Sequence, residues 1–141
     1  MILYLDTSSL LKLFLEEEGS EPIKRIASEA QGITTSIIAY AESRAALARA
    51  RRTGRLTDDS YRASVELFEE GWSSYIPIGV SDPIVRLAGD LAEKHLLKGF
   101  DAIHLASAVT LQQESGEPIS FSAWDQLLMR TAAAEGLAVA A

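Results

Sequence analysis

The chain has 141 residues, of which 48% are hydrophobic and 23% charged, with no cysteine and a formal net charge of −7. Length and composition fit one globular domain with a substantial core and exclude a disordered or low-complexity chain. The absence of cysteine excludes disulfides, thiolate metal sites and thiol nucleophiles, and the acidic balance argues against a protein that holds nucleic acid by overall charge.

Ile2 to Leu5 reads as a short buried strand that ends on Asp6. Thr7-Ser8-Ser9 offer capping oxygens to a first helix carrying Leu10, Leu11, Leu13, Phe14 and Leu15, which Glu16-Glu17-Glu18-Gly19 ends. Ser20 to Ala30 forms a second helix, with Pro22 tolerated in its first turn. Gly32 to Thr35 is a brief strand, and Ser36 caps a long helix running to about Thr53-Gly54. Asp58-Asp59 open another helix that reaches about Ser74. Tyr75 to Ile78 reads as a strand, placed at a sheet edge by Pro77.

Ser81-Asp82-Pro83 start a helix with Ile84, Leu87, Ala88 and Leu91 at helical spacing, stopping near His95. A loop from Leu96 to Gly99 precedes a helix from Asp101 to about Gln113. Pro118 to Phe121 is a strand, Asp125 to Ala134 the last helix, and Leu137 to Ala140 a final strand. Apolar strands alternating with helices predict an α/β fold: a central parallel sheet of four to five short strands flanked by helices on both faces, as a single domain over residues 1–141. The N-terminal apolar stretch is broken by Asp6 and Lys12 and lacks the basic flank of a signal peptide. No segment approaches the ~20 apolar residues of a membrane span, so a cytoplasmic protein without membrane association is expected.

Four acids stand in apolar surroundings: Asp6 after the first strand, Glu42 within the helical stretch Ile37 to Leu47, Asp101 ahead of Ala102-Ile103-His104-Leu105-Ala106, and Asp125 after Phe121-Ser122-Ala123-Trp124. A carboxylate stripped of water costs several kcal/mol unless something positive meets it. Glu42 has no Lys or Arg three or four residues away, and Asp101 none ahead of it, so the expected counter-charge is a bound cation. Hard divalent ions such as Mg²⁺ and Mn²⁺ take oxygen ligands. Ligands in such folds bind beyond the carboxyl ends of the strands, where Asp6, Asp125 and the start of the helix bearing Glu42 all fall. Ser8 and Ser122 are placed to hold the carboxylates by hydrogen bonds.

Arg44, Arg49, Arg51, Arg52 and Arg55 put five of the thirteen basic residues into twelve positions, a cationic stretch beside the acids that would suit phosphate contacts. Other constellations are missing. A phosphatase-type nucleophile motif needs an Asp where Ser8 stands, there is no glycine-rich phosphate loop, and His104, one of only two histidines, reads as a packed, hydrogen-bonded helix residue rather than a zinc ligand.

Leu5-Asp6-Thr7-Ser8, then Glu42, then Phe100-Asp101-Ala102-Ile103-His104-Leu105-Ala106 resemble the motifs of PIN-domain ribonucleases, and more narrowly those of VapC-type toxins from toxin–antitoxin pairs. Ser122-Ala123-Trp124-Asp125, with Leu128, Ala132-Ala133 and Gly136, is similar to that family's last acidic motif, so the likeness runs from Leu3 to Leu137. The resemblance implies a PIN-like sheet and a metal-dependent endoribonuclease that hydrolyses RNA phosphodiester bonds with a metal-activated water. Asp6, Glu42 and Asp101 would be the catalytic, metal-binding triad on Mg²⁺ or Mn²⁺, with Asp125 the fourth acid. It also implies a homodimer and a neutralising antitoxin lying across the first four helices, where Leu10, Leu11, Phe14 and Leu15 offer a groove. Two other readings stand beside it: a free-standing PIN nuclease of RNA processing, and a PIN-like module that binds RNA or protein without cutting.

Overall fold

The computed structural model describes residues 1–140. Twelve elements follow in the order β1 (Ile2–Leu5), α1 (Thr7–Leu11), α2 (Ser20–Glu29), β2 (Gly32–Ser36), α3 (Ile38–Arg52), α4 (Asp58–Trp72), β3 (Ile76–Ile78), α5 (Asp82–His95), α6 (Gly99–Ser115), β4 (Ile119–Ser122), α7 (Gln126–Ala134) and β5 (Ala138–Val139). The five strands form one sheet in the order β3-β2-β1-β4-β5, every neighbouring pair parallel. The expected parallel sheet is there, with β3 and its Pro77 at an edge.

Alternation along the strands sorts the core into two layers. Tyr4 of β1 and Ile119 and Phe121 of β4 face a cluster built with Ile84, Ala88 and Leu91 of α5, Leu105 of α6 and Leu128 of α7. Leu3 and Leu5 point the other way, onto Leu10, Ile23, Leu47 and Phe68 from α1 to α4. Helices therefore cover both faces, and β1 is buried throughout its last three residues.

The connections run from β1 through β2 to β3, then return to the far side of β1 for β4 and β5. The order reverses between β1 and β4, and a crevice at the carboxyl ends of such a pair is where α/β sheets bind ligands. Asp6 and Asp125 follow those two strands. Among the described residues no helix is long and apolar enough to cross a membrane.

The largest departure from expectation is the first helix, which was predicted to run to Leu15 and stops at Leu11. Beyond it the chain tightens into three-residue turns, Leu13 N–H to Leu10 C=O and Phe14 N–H to Leu11 C=O. Leu15 N–H returns to Leu11 C=O at 2.9 Å, and the next carbonyls are met by side chains: Ser64 Oγ donates to Phe14 C=O at 3.1 Å and Ser20 Oγ to Leu15 C=O at 2.9 Å.

Candidate active site

Asp6 is the first residue past β1 and is only 4% exposed. It is itself the N-cap of α1: its Oδ1 accepts from the Ser9 N–H at 2.9 Å. This corrects the expectation that Thr7-Ser8-Ser9 supply the cap, and it gives the buried acid a structural reason to be there. Ser8 Oγ donates to both Asp6 oxygens (2.8 and 3.0 Å) and accepts from the Trp124 N–H at 3.1 Å. Ser122 holds the same corner from β4, its C=O accepting from the Asp6 N–H at 3.1 Å and its Oγ meeting Ser9 Oγ at 3.0 Å. Burial pushes the Asp6 carboxyl above its ordinary range, the Asp101 charge adds to this, and the bonds from Ser9 and Ser8 only partly oppose it.

Glu42 lies on α3 and its expected lack of a partner does not hold. Thr7 Oγ1 donates to Glu42 Oε1 at 2.5 Å, and His104 Nε2 stands 3.1 Å from the same oxygen. These partners lie 35 and 62 residues away in sequence, beyond any helical-spacing test. His104 is buried on α6, with Nδ1 2.8 Å from the Tyr4 hydroxyl. Burial above all, and then the Asp6 charge, keeps the Tyr4 phenol protonated well above its usual range, so Tyr4 O–H donates to Nδ1. Nε2–H is then the donor shared by Glu42 and Thr7, whose Oγ1 is 3.2 Å away. Burial raises the Glu42 carboxyl, but the hydrogen bonds from His104 and Thr7 outweigh it and leave Glu42 below its ordinary range. His104 is thus the packed, hydrogen-bonded helix residue expected; its bond to Glu42 was not foreseen, and its place one helical turn after Asp101 is the signal that it shares that residue's face.

Asp101 occupies the first turn of α6, which begins two residues earlier than expected, at Gly99. Among the described residues no hydrogen bond reaches its carboxylate in the way that Ser8 and His104 reach Asp6 and Glu42. Burial raises its carboxyl, and the charges of Asp125 and Glu42 raise it further against Lys98 and His104. Asp125 is exposed and caps α7, accepting from the Leu128 N–H at 3.0 Å. A cavity of about 420 Å³ gathers Asp6, Thr7, Ser8, Leu11, Glu42, Asp101, His104, Trp124 and Asp125. Acids from four separate places in the chain thus share one crevice. Among the described residues, none of the four is ion-paired with Lys or Arg.

As they stand, no three His, Asp or Glu side chains among the described residues are close enough to hold one metal ion. The donor chemistry nevertheless fits a hard divalent cation: the lining is rich in carboxylate and hydroxyl oxygens, and Asp6 and Asp101 are raised by burial first and by neighbouring acids second, both of which a cation would offset. Glu42 Oε1 is engaged by His104 and Thr7, which leaves Oε2 as its unshared oxygen.

The five arginines divide. Arg49, Arg52 and Arg55 line a groove of about 570 Å³ between α1 and α3 that shares Leu11 and Glu42 with the acid cavity. Arg44 lies instead against α4, 3.0 Å from Glu69, and Arg51 meets Asp58 at 3.9 Å and the Tyr61 ring at 4.6 Å. Arg55 pairs with Glu17 at 2.6 Å. Glu17 also holds Lys12 at 3.0 Å, a buried lysine that the sequence reading noted only as a break in an apolar run.

Comparison with known proteins places this geometry. The family model for the PIN domain matches residues 3–121. Ribonuclease VapC45 of Mycobacterium tuberculosis (strain CDC 1551 / Oshkosh) is 34% identical over 140 residues, 99% of this chain and 94% of that protein. The structure of M. tuberculosis VapC20, described as a sarcin–ricin loop cleaving toxin, superposes with a TM-score of 0.64 at 18% identity, covering 96% of this chain and 95% of that one. A toxin–antitoxin complex from Klebsiella pneumoniae matches with a TM-score of 0.52 at 20% identity, covering 84% and 83%; at these identities the two structures speak to the fold alone. The chain belongs to the PIN-domain family, within its VapC-type ribonucleases.

Proposed function

We propose that the chain, as a single nuclease domain over residues 1–141, is a metal-dependent endoribonuclease and the toxin component of a type II toxin–antitoxin pair. The observation that carries this is the crevice itself: Asp6, Glu42, Asp101 and Asp125 line it together, none paired with a Lys or Arg among the described residues. Those four side chains would hold Mg²⁺ or Mn²⁺. The bound ion would supply an activated water and stabilisation of the departing oxygen in phosphodiester hydrolysis. The chain's own residues set the stage: Ser8, Ser9 and Ser122 fix Asp6, and His104 and Thr7 fix Glu42. Arg49 and Arg52 meet the RNA phosphates from the neighbouring groove, where Arg55 is held by Glu17, so binding weakens as salt rises.

The VapC relationship and the toxin–antitoxin structure support a protein antitoxin as partner. The same groove, floored by Leu11, Leu15, Ala45, Ala46 and Ala50, is its seat beside the crevice. The protein works in the cytoplasm as a homodimer. The test is cleavage of total RNA with and without EDTA, alongside Asp6→Asn. Cleavage should need the divalent ion and vanish in the variant. Activity that persists under chelation removes the metal mechanism.

A further inference from the structure

We infer that Trp124 is a stacking platform for a nucleobase of the RNA strand that enters the acid crevice, an inference that rests on the ribonuclease reading above. Trp124 lines the crevice with Asp6, Asp101 and Asp125, yet 45% of it stays exposed. An indole left that far in water has apolar surface to give to a ligand.

The ring is also held in place. Lys12 Nζ lies 4.1 Å from its centroid, and Lys12 is itself 3% exposed and tied to Glu17. Gly19 sits behind the ring with φ +90°, where an added Cβ would come 2.5 Å from Trp124 Cζ3. Lys12 and Gly19 both belong to the loop between α1 and α2, so that loop backs the indole. The Trp124 backbone N–H donates to the same Ser8 hydroxyl that holds the Asp6 carboxylate. The aromatic surface is therefore fixed relative to the acids, with little side-chain freedom left to lose on binding.

Charge favours such a contact. The chain carries −7 overall and presents acids where the scissile phosphate must lie. Arg44, Arg51 and Arg55 are engaged by Glu69, Asp58 and Glu17, which among the described residues leaves Arg49 and Arg52 as the members of the arginine group without an ion pair. Lys98, beside Asp101 and Glu42, adds a further cation at the rim, but four acids face the strand from within. Stacking on an aromatic ring is indifferent to this field and open to every base, since each has a π face. A strand that crosses the crevice would place a base on Trp124 at one side and phosphates toward Arg49 and Arg52 at the other, because the two cavities share Leu11 and Glu42.

The test compares two fluorescent probes, an oligouridylate and an abasic ribose-phosphate chain of equal length, on full-length Asp101→Asn protein so that the RNA stays uncut. Trp124→Ala in that background should weaken oligouridylate binding about 5- to 100-fold, leave the abasic chain unchanged, and keep the same ratio from about 50 to about 200 mM salt. Trp124→Phe should retain most of the preference. Equal binding of oligouridylate with and without the indole, in a chain whose Asp101 form cuts RNA, overturns the platform and hands the exposed ring to a protein partner. Equal loss on both probes overturns it too, making the ring a support of the crevice. Should the Asp101 form fail to cut any RNA, the ribonuclease reading falls first and the platform with it.

Discussion

Glu42 and Asp101 face one crevice from α3 and α6, and burial acts on both, yet their carboxyls move in opposite directions. At Glu42 the cost of leaving water is met by hydrogen bonds: His104, oriented by Tyr4, and Thr7 converge on one oxygen. At Asp101 it is compounded by the neighbouring charges of Asp125 and Glu42. One wall of the crevice is thus satisfied within the fold, while the other stores repulsion that an arriving cation can release. An acid cluster of this kind is read from which members are already served, more than from how many there are.

The most direct way to break the contrast is Asp101→Asn. RNA cleavage should fall about 1,000-fold, since several kcal/mol of barrier are lost with such a group. Chelated protein should melt roughly 1–3 °C higher after allowance for solvent screening. A lower melting point would mean that Asp101 is not a repelled acid.

Next in size is the response to Mn²⁺. At about 100 times its Kd the ion should stabilise chelator-treated wild type by about 2.7 kcal/mol, or 5–10 °C by scanning calorimetry. In Asp101→Asn less than half of that shift should remain.

His104→Ala sharpens the comparison from the served side. It should weaken Mn²⁺ binding about 10- to 100-fold by calorimetry and move the Glu42 carboxyl upward in an NMR titration, toward the behaviour of Asp101. His104→Gln, which keeps an N–H donor, should recover part of both, and Tyr4→Phe should lose least. An unchanged Glu42 titration in His104→Ala would dissolve the pairing.

The smallest effect is in the pH dependence of metal-free stability. Asp6 and Asp101 are raised, so as pH falls toward the usual carboxylate range, near pH 4, the folded state takes up protons first and gains stability. Glu42 is lowered, as is Glu17, where bonds from Arg55 and Lys12 overcome burial; their contribution is present above the unfolded value and lost as pH falls through the folded one. Urea midpoints should therefore show a shallow rise before the acid decline, and Asp101→Asn should flatten the rise alone.

Much of the fold was legible because its strands are short apolar runs set off by capping residues, and Pro77 marked an edge. The acids were legible for the same reason, each standing where apolar neighbours make a carboxylate conspicuous. What was hidden depends on distance in sequence. No local rule reveals that Ser64 and Ser20 claim the carbonyls of Phe14 and Leu15, beyond the early end of the first helix. Nor does one reveal that His104 serves Glu42, or that Lys12 is buried beneath Trp124. The arginine group looked uniform in sequence because a helix turns it toward both α1 and α4, and only the packing assigns each residue to a side.

The single hydroxyl of Ser8 has a mechanical consequence. It spans from the turn after β4 to the carboxylate at the end of β1, accepting from one and donating to the other. Whatever grips the indole and tugs that turn by a few tenths of an ångström also re-aims Asp6, so substrate seating and ligand alignment are geared to each other through one oxygen atom.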